Sequence, residues 1–161
     1  MLTTAQLQTL KAYIASVPAL AAQPMNPDGH QAIADALNQA ASPAFIVWRS
    51  DVSANEIGNA WVGTDIDGMS ALNMQRLQLL LASSPGGTFD MRRADRRAGF
   101  ENPFGTNVSN ASRVNMRAVW KRNASVAERL LASGTGSDAS PALTTFEGSL
   151  NRDEVERARL I

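Results

Sequence analysis

The chain has 161 residues and no net formal charge, with 15 lysines and arginines against 15 aspartates and glutamates. That length fits one domain that buries about two-thirds of its unfolded surface, and 44% hydrophobic residues argue against wholesale disorder. The lack of cysteine excludes disulfides and thiolate chemistry, and a single histidine excludes a multi-histidine metal site. The sequence has no apolar run of membrane-spanning length and no recognisable secretion signal, so we expect neither.

The N-terminal part of the chain predicts two helices joined by an alanine- and proline-rich connector over residues 19–24. Thr3 or Thr4 is placed to cap the first helix, and Pro18 ends it. Asn26 followed by Pro27 is typical of the start of the second helix. The apolar positions at helical spacing are Leu7, Leu10, Ile14 and Val17 in the first helix and Ile33, Ala36, Leu37 and Ala40 in the second.

Residues 44–48 form a short apolar run that fits either an extended segment or a helical turn. Ser53 with Glu56 is a capping box, which predicts a short helix after it. A loop is expected over 63–68, and Ser70 is placed to cap a strong helix that Pro85 and the two following glycines end. The apolar positions of that helix are Leu72, Leu77, Leu80 and Leu81.

The rest of the predicted core contains three further helices. Asp90 is placed to cap one over 91–98, and a loop follows over 99–110. Ser112 starts the next helix. Asn123 or Ser125 caps the last one, which ends at Gly134. The tryptophans, Trp48, Trp61 and Trp120, are expected to be core anchors.

The composition changes after Gly134. Residues 134–141 have the composition of a flexible linker, 143–146 are prone to form a strand, and Asn151 with Glu154 caps a last helical segment. The sequence therefore predicts a mainly α fold, a small helical bundle with an extended C-terminal arm. Residues 1–133 would form the helical core domain, and 134–161 the linker and docking arm.

No pattern in the sequence predicts catalysis. His30 is interpreted as a structural or solvated residue. Asp65 and Asp67 resemble the start of a calcium loop, but the sixth position is Ser70 and the twelfth is Arg76, where such a loop needs glycine and glutamate. We therefore predict no catalytic residue, no metal site, no cofactor and no enzyme.

Charge is unevenly distributed along the chain. Residues 1–91 carry a net charge of −4, residues 92–129 carry +6 and residues 130–161 carry −2. The densest basic group is Arg92, Arg93, Arg96 and Arg97. Three interpretations fit this pattern: contact between copies of the chain, a basic face turned toward DNA, and a solvated face with internal ion pairs.

Several segments, in this order, resemble a family of head–tail connector (adaptor) proteins from tailed bacteriophages. They are residues 33–38, 41–49, 121–136 and 145–148, together with Pro141. The most specific pieces are Ser-Pro-Ala-Phe-Ile-Val-Trp over 42–48 and the Arg-Asn-Ala, Thr-Gly and Phe-Glu-Gly motifs of the C-terminal third. The resemblance extends from about residue 2 to residue 146, and residues 70–82 and 92–97 do not match it.

The resemblance implies a structural virion protein that forms a homo-oligomeric ring under the portal protein and extends the DNA channel. It would bind the portal and a tail, nozzle or terminator protein, lie near DNA without sequence specificity, and bind no membrane. It would be made in the host cytoplasm and end at the head–tail interface.

Two groups of residues are assigned roles, the docking arm from the resemblance and its apolar side chains, and the arginines from the charge segregation. The docking-arm residues are Leu143, Thr145, Phe146, Glu147, Gly148 and Leu150. The protomer-interface or channel residues are Arg92, Arg93, Arg96 and Arg97. Two alternatives stay open: another virion protein, in tail completion or decoration, and a small helical enzyme or regulator that uses carboxylates.

Overall fold

Helices make up most of the secondary structure, as the sequence predicts. The computed structural model describes residues 1–84 and 86–161, and these residues divide into two units. Unit 1 consists of Met1–Val47 and Asn123–Ile161, and unit 2 of Trp48–Arg122. The helices are α1 (Thr4–Ser16), α2 (Pro18–Ala21), α3 (Pro27–Asn38), α4 (Ala54–Asn59), α5 (Gly63–Asp67), α6 (Ala71–Ala82), α7 (Ala94–Glu101), α8 (Ala111–Val119), α9 (Val126–Leu130) and α10 (Arg152–Leu160). The strands are β1 (Ile46–Trp48), β2 (Val52–Ser53), β3 (Thr88–Phe89), β4 (Lys121–Asn123), β5 (Ala132–Ser133) and β6 (Leu143–Thr144).

Most of the predicted helix starts are confirmed. Where an apolar helix begins, a short polar side chain accepts a hydrogen bond from the third helical amide and so satisfies a group that the helix leaves unpaired. The caps at Thr3, Ser53, Ser125 and Asn151 are full capping boxes, in which a glutamine or glutamate also accepts from the cap amide. Asn26 and Ser70 cap α3 and α6.

Unit 1 is built around α10, which packs against α3 and α1. Leu150, Val155 and Ala158 lie in the same apolar core as Leu10 and Ile33. This division differs from the predicted one, in which 134–161 stand apart from a core of 1–133. The apolar side chains of residues 143–161 predict an arm because the sequence shows no core beside them for these side chains to enter. Helix α10 packs instead on α3 and α1, more than a hundred residues earlier in the chain, while β6 pairs with the nearby β5.

Residues 134–141, interpreted as a flexible linker, and Ala142 after them are hydrogen-bonded within unit 1. The amide of Ile46 donates to the carbonyl of Gly136, and the amide of Ala142 donates to the carbonyl of Ile46. Gly136 has a φ of 65°, and a Cβ there would lie 2.2 Å from the ring of Phe45. Glycine is therefore required both by the backbone conformation and by the ring that covers it.

Unit 2 has its own apolar core. Fully buried side chains from α4, α6, α7 and α8 meet Phe89 of β3 and Trp120. Phe100 makes an edge-on contact with Phe89, with ring centroids 5.1 Å apart, an arrangement that aromatic pairs favour. Trp120 is buried as expected, whereas Trp48 and Trp61 are partly exposed and pack at the edge of this core.

Four details differ from the sequence predictions. Residues 63–67 form helix α5 and not a loop, because Asp65 accepts two hydrogen bonds from Ser112. Asp90 binds Arg92, so α7 begins at Ala94 and not at 91. Asn110, and not Ser112, caps α8. Helix α1 ends just before Pro18, as predicted, but Pro18–Ala21 form α2 where a connector was expected. The predicted stop at Pro85 lies outside the described residues.

His30 lies in α3 and is buried, and neither ring nitrogen has a hydrogen-bond partner among the described residues. A buried polar atom without a partner loses its hydration and gains nothing in return. We expect His30→Leu to leave the free energy of unfolding unchanged or to raise it by about 1 kcal/mol. Chemical denaturation of the variant and the wild type measures the difference. A clear loss of stability would show that the ring nitrogens are bonded in solution.

Candidate functional site

The four arginines predicted to face a protomer or DNA lie in unit 2, and two of them are ion-paired locally. Arg92 bonds Asp90 through Nε and Nη2, with the shorter contact at 2.8 Å. Arg93 pairs with Asp95 at 2.6 Å, and hydrogen bonding from Arg93 lowers the pKa of Asp95 to about 2. Arg92 and Arg93 therefore contribute little net positive potential at this surface.

Arg97 is held by three neighbours. Its Nη1 donates to the carbonyls of Met91 and Arg92, and its guanidinium lies 4.0 Å from the centre of the Trp48 ring. Burial lowers the pKa of Arg97 below its ordinary value. The cation stacks on the ring face, which carries negative partial charge, and so fixes the edge of the unit 2 core.

Arg76 and Arg96 are different, because neither forms an ion pair within the described residues. Arg96 donates to the hydroxyl of Ser83, just after α6. Arg76, on α6, donates to the side chain of Asn73 at 3.4 Å. These two side chains are the cations of this region that are left for an acidic partner.

Glu101 joins Arg113 and Arg117 in a nearly buried network. Its carboxylate accepts from Arg113 at 2.8 Å and from Arg117 at 2.6 and 2.8 Å. Burial raises the pKa of Glu101, but hydrogen bonds from both guanidinium groups outweigh it, so the pKa lies below its ordinary value. Three of the charges in the +6 region thus serve the fold of unit 2.

The two units carry net charges of opposite sign. Unit 2 contains ten basic and seven acidic side chains, a balance of +3, and unit 1 contains five basic and eight acidic, a balance of −3. The segregation seen along the sequence is therefore retained in the folded units, with unit 2 positive and unit 1 negative.

The outer face of α6 is apolar. Leu72 and Leu79 are 57% and 64% exposed, although they lie in a well-formed helix. They are seven residues apart, so they lie on the same side of the helix, with Arg76 between them. The buried side of α6 is provided by Leu77, and Leu80 and Leu81 pack against the core beside it.

A groove runs beside this face, between α6 and the end of α7. Its volume is about 390 Å³, and it is lined by Arg76, Leu79, Leu80, Gly99, Asn102 and Pro103. Asn73 on α6 donates to the carbonyl of Pro103, which fixes that wall of the groove. We call Leu72, Leu79, this groove and its flanking cations Arg76 and Arg96 the α6 surface.

The docking-arm residues lie in unit 1. Leu143 is 43% exposed and Thr145 is also exposed, and the hydroxyl of Thr145 donates to Leu131 and accepts from Gln6. Leu150 is buried, and its backbone exchanges two hydrogen bonds with the side chain of Asn38. Gly148 is exposed, and its amide donates to Glu128.

The remaining docking-arm residues, Phe146 and Glu147, are half-buried, and Phe146 packs against the unit 1 core. Of the six, the exposed members are thus Leu143, Thr145 and Gly148.

Sequence reasoning did not identify the α6 surface. Leu72 is one of the predicted apolar positions of that helix, and Leu79 is not among them. The signal was present, because five leucines in twelve residues cover more of a helix than one core-facing stripe needs.

Within the described residues, no three histidine, aspartate or glutamate side chains are grouped so that they could hold a metal ion. None of the helices described is both long and apolar enough to cross a bilayer. Comparison with protein-family models, with curated proteins and with solved structures finds no match to this chain. Function is therefore inferred from the residues themselves and their surroundings.

Proposed function

We propose that this chain is a structural protein of a tailed-phage virion, a head–tail connector whose copies form a ring under the portal. The α6 surface carries the proposal. It exposes Leu72 and Leu79 beside a groove and next to Arg76 and Arg96, neither of which is ion-paired within unit 2. Exposed apolar surface rimmed by charge is typical of a site that another protein covers. The phage setting comes from the resemblance of residues 33–49 and 121–148 to connector proteins.

The opposite charges of the two units support repeated contact between copies. A surface of one sign on one protomer and the other sign on the next favours association and sets its orientation. Such a contact joins two different patches, and it closes into a ring when the rotation between neighbours allows it. No catalytic chemistry enters the proposal.

The proposed partners are the portal protein on one side and a tail or terminator protein on the other. Docking on a partner would use the exposed residues of the 143–150 segment, chiefly Leu143, because Leu150 is already buried in unit 1. A role of Arg96 near the DNA channel stays a prediction, and so does a role of Arg93, whose guanidinium is paired with Asp95. The arginines bonded within unit 2, Arg92 and Arg97, would support that wall without pairing with DNA phosphates.

An early stop codon in this gene tests the proposal. Cells infected with that phage should accumulate DNA-filled heads and finished tails that do not join, because the connector is missing. Electron microscopy of the lysate counts joined and separate particles, and supplying the intact chain from a plasmid should restore joining. Joined particles at wild-type yield would contradict a connector role. Joined particles with altered head stability would indicate decoration, and tails of abnormal length would indicate tail completion.

A further inference from the structure

We propose that the α6 surface of one copy receives the C-terminal face of α10 from a second copy. This inference deepens the proposed function and rests on it, since a ring connector needs one contact repeated between neighbours. It names the two segments that make the contact and predicts that they are different from each other.

The outer face of α10 has the chemistry to fill the groove. Leu160 and Ile161 are 67% and 46% exposed, whereas Val155 and Ala158 on the inner face are buried in unit 1. Glu156 lies one turn before Leu160 on the same side of the helix and is exposed, and it makes no ion pair within the described residues. The segment therefore presents two apolar side chains with one carboxylate, Glu156, and one exposed cation, Arg157, about one turn away.

The α6 surface offers the matching groups in the same arrangement. Leu79 and Pro103 provide apolar walls for Leu160, and Arg76 lies about one helical turn from Leu79. With Leu160 in the groove, Glu156 comes within reach of Arg76 or Arg96. The net charge of −3 on unit 1, which carries α10, and of +3 on unit 2 of the second copy, which carries the groove, also favour this contact.

A symmetric alternative, α6 packed against α6 of the second copy, is disfavoured by charge. Arg76 lies near the middle of α6, so an antiparallel two-fold pairing would place two arginines opposite each other without a carboxylate between them. Like charges facing each other oppose association. The α10 face supplies the carboxylate that this pairing lacks.

Two single-sided variants of the full-length chain test the inference. Leu79→Asp blocks the groove and leaves the α10 face intact, and Leu160→Asp does the reverse. Both positions are exposed, so neither change should alter the folded core, and circular dichroism checks this. Wild type should form higher oligomers by analytical ultracentrifugation, and each variant alone should remain monomeric, with association weakened about tenfold or more.

The mixture is the decisive sample. An equimolar mixture should form a 1:1 dimer, because the intact α10 face of Leu79→Asp can still enter the intact groove of Leu160→Asp. A variant with an exposed substitution on a different helix, Val114→Asp on α8, is the matched control and should oligomerise as wild type does. A reversed pair, Arg76→Glu with Glu156→Arg in one chain, should regain association that Arg76→Glu alone loses.

Three results would overturn the inference: wild type that stays monomeric, Leu160→Asp that oligomerises normally, or a mixture that contains only monomer. Loss of assembly in Leu79→Asp together with normal assembly in Leu160→Asp would indicate α6–α6 pairing instead. None of these results bears on whether the chain joins heads to tails, which the stop-codon experiment decides separately.

Discussion

Deletion of residues 143–161 should unfold unit 1. This segment contributes Leu150, Val155 and Ala158 to the unit 1 core, and α10 packs along α3 and α1. Full burial of a leucine or valine side chain contributes about 1.5–3 kcal/mol, and a domain is stable by only about 5–15 kcal/mol. Loss of β6, α10 and the Asn38–Leu150 hydrogen bonds lowers the free energy of unfolding of unit 1 further. We expect a large decrease in helical circular dichroism and in melting temperature.

Two comparisons separate this effect from the loss of a surface segment. Leu143→Ala changes an exposed residue of the same segment and should lower the free energy of unfolding by less than about 1 kcal/mol. Leu150→Ala should lower it by about 2–5 kcal/mol. A truncated chain with wild-type helix content and melting temperature that no longer binds a partner would instead establish residues 143–161 as a separate docking arm.

The helix starts were predictable because capping is a local interaction. Asn26, Ser53 and Ser70 each bond an amide three residues ahead, so the whole interaction lies within one short stretch of sequence. Helix α5 was missed because its stability depends on Asp65 meeting Ser112, 47 residues later. A local sequence pattern cannot show that two residues so far apart in the chain are in contact, and the residues of 63–68 alone predict a loop.

The position of the C-terminal segment was missed for the same reason. The cap of Asn151 with Glu154 predicts a helical segment there, and helix α10 confirms it. The apolar side of α10 packs against α3 and α1. The sequence of an amphipathic helix does not indicate which distant helix it will contact. An exposed arm and a docked helix therefore have the same sequence pattern.

The sequence predicts the positive charge of this part of the chain, but it does not show which arginines form ion pairs within the fold. The basic character of 92–129 is visible in the sequence, but Arg113 and Arg117 are bonded to Glu101, and Arg93 is bonded to Asp95. Beside α6, Arg76, which lies outside that region, and Arg96 form no ion pair within the described residues. Exposed Leu72 and Leu79 could not be recognised without knowing which side of α6 faces the core.

Glu101→Gln should destabilise unit 2 by about 3–5 kcal/mol, because it leaves the buried guanidinium of Arg113 without its carboxylate and also removes the partner of the partly exposed Arg117. The side chains of Glu101 and Arg113 are only 13% and 10% exposed, so solvent cannot replace the lost partner. The three tryptophans all lie in unit 2, and their fluorescence during denaturant unfolding therefore reports on this unit.

Asp95→Asn is the matched control, since it breaks an arginine–carboxylate pair whose side chains are 58% and 63% exposed. Exposed pairs contribute about 0–1 kcal/mol, so this variant should unfold almost as wild type does. Equal losses in the two variants would show that burial of the Glu101 network contributes nothing special to stability.

The same network predicts how stability depends on pH. The pKa of Glu101 is lower in the folded chain than in the unfolded chain, where the pKa of a glutamate is about 4.3. Its contribution is therefore fully present above that pH and is lost as the pH falls through the folded value. Wild-type unit 2 should lose stability progressively below about pH 4.3, and Glu101→Gln should show a shallower loss. Some slope should remain in the variant, because Arg49 hydrogen-bonds Glu56 and lowers its pKa to about 2, so that this carboxylate titrates in the same range.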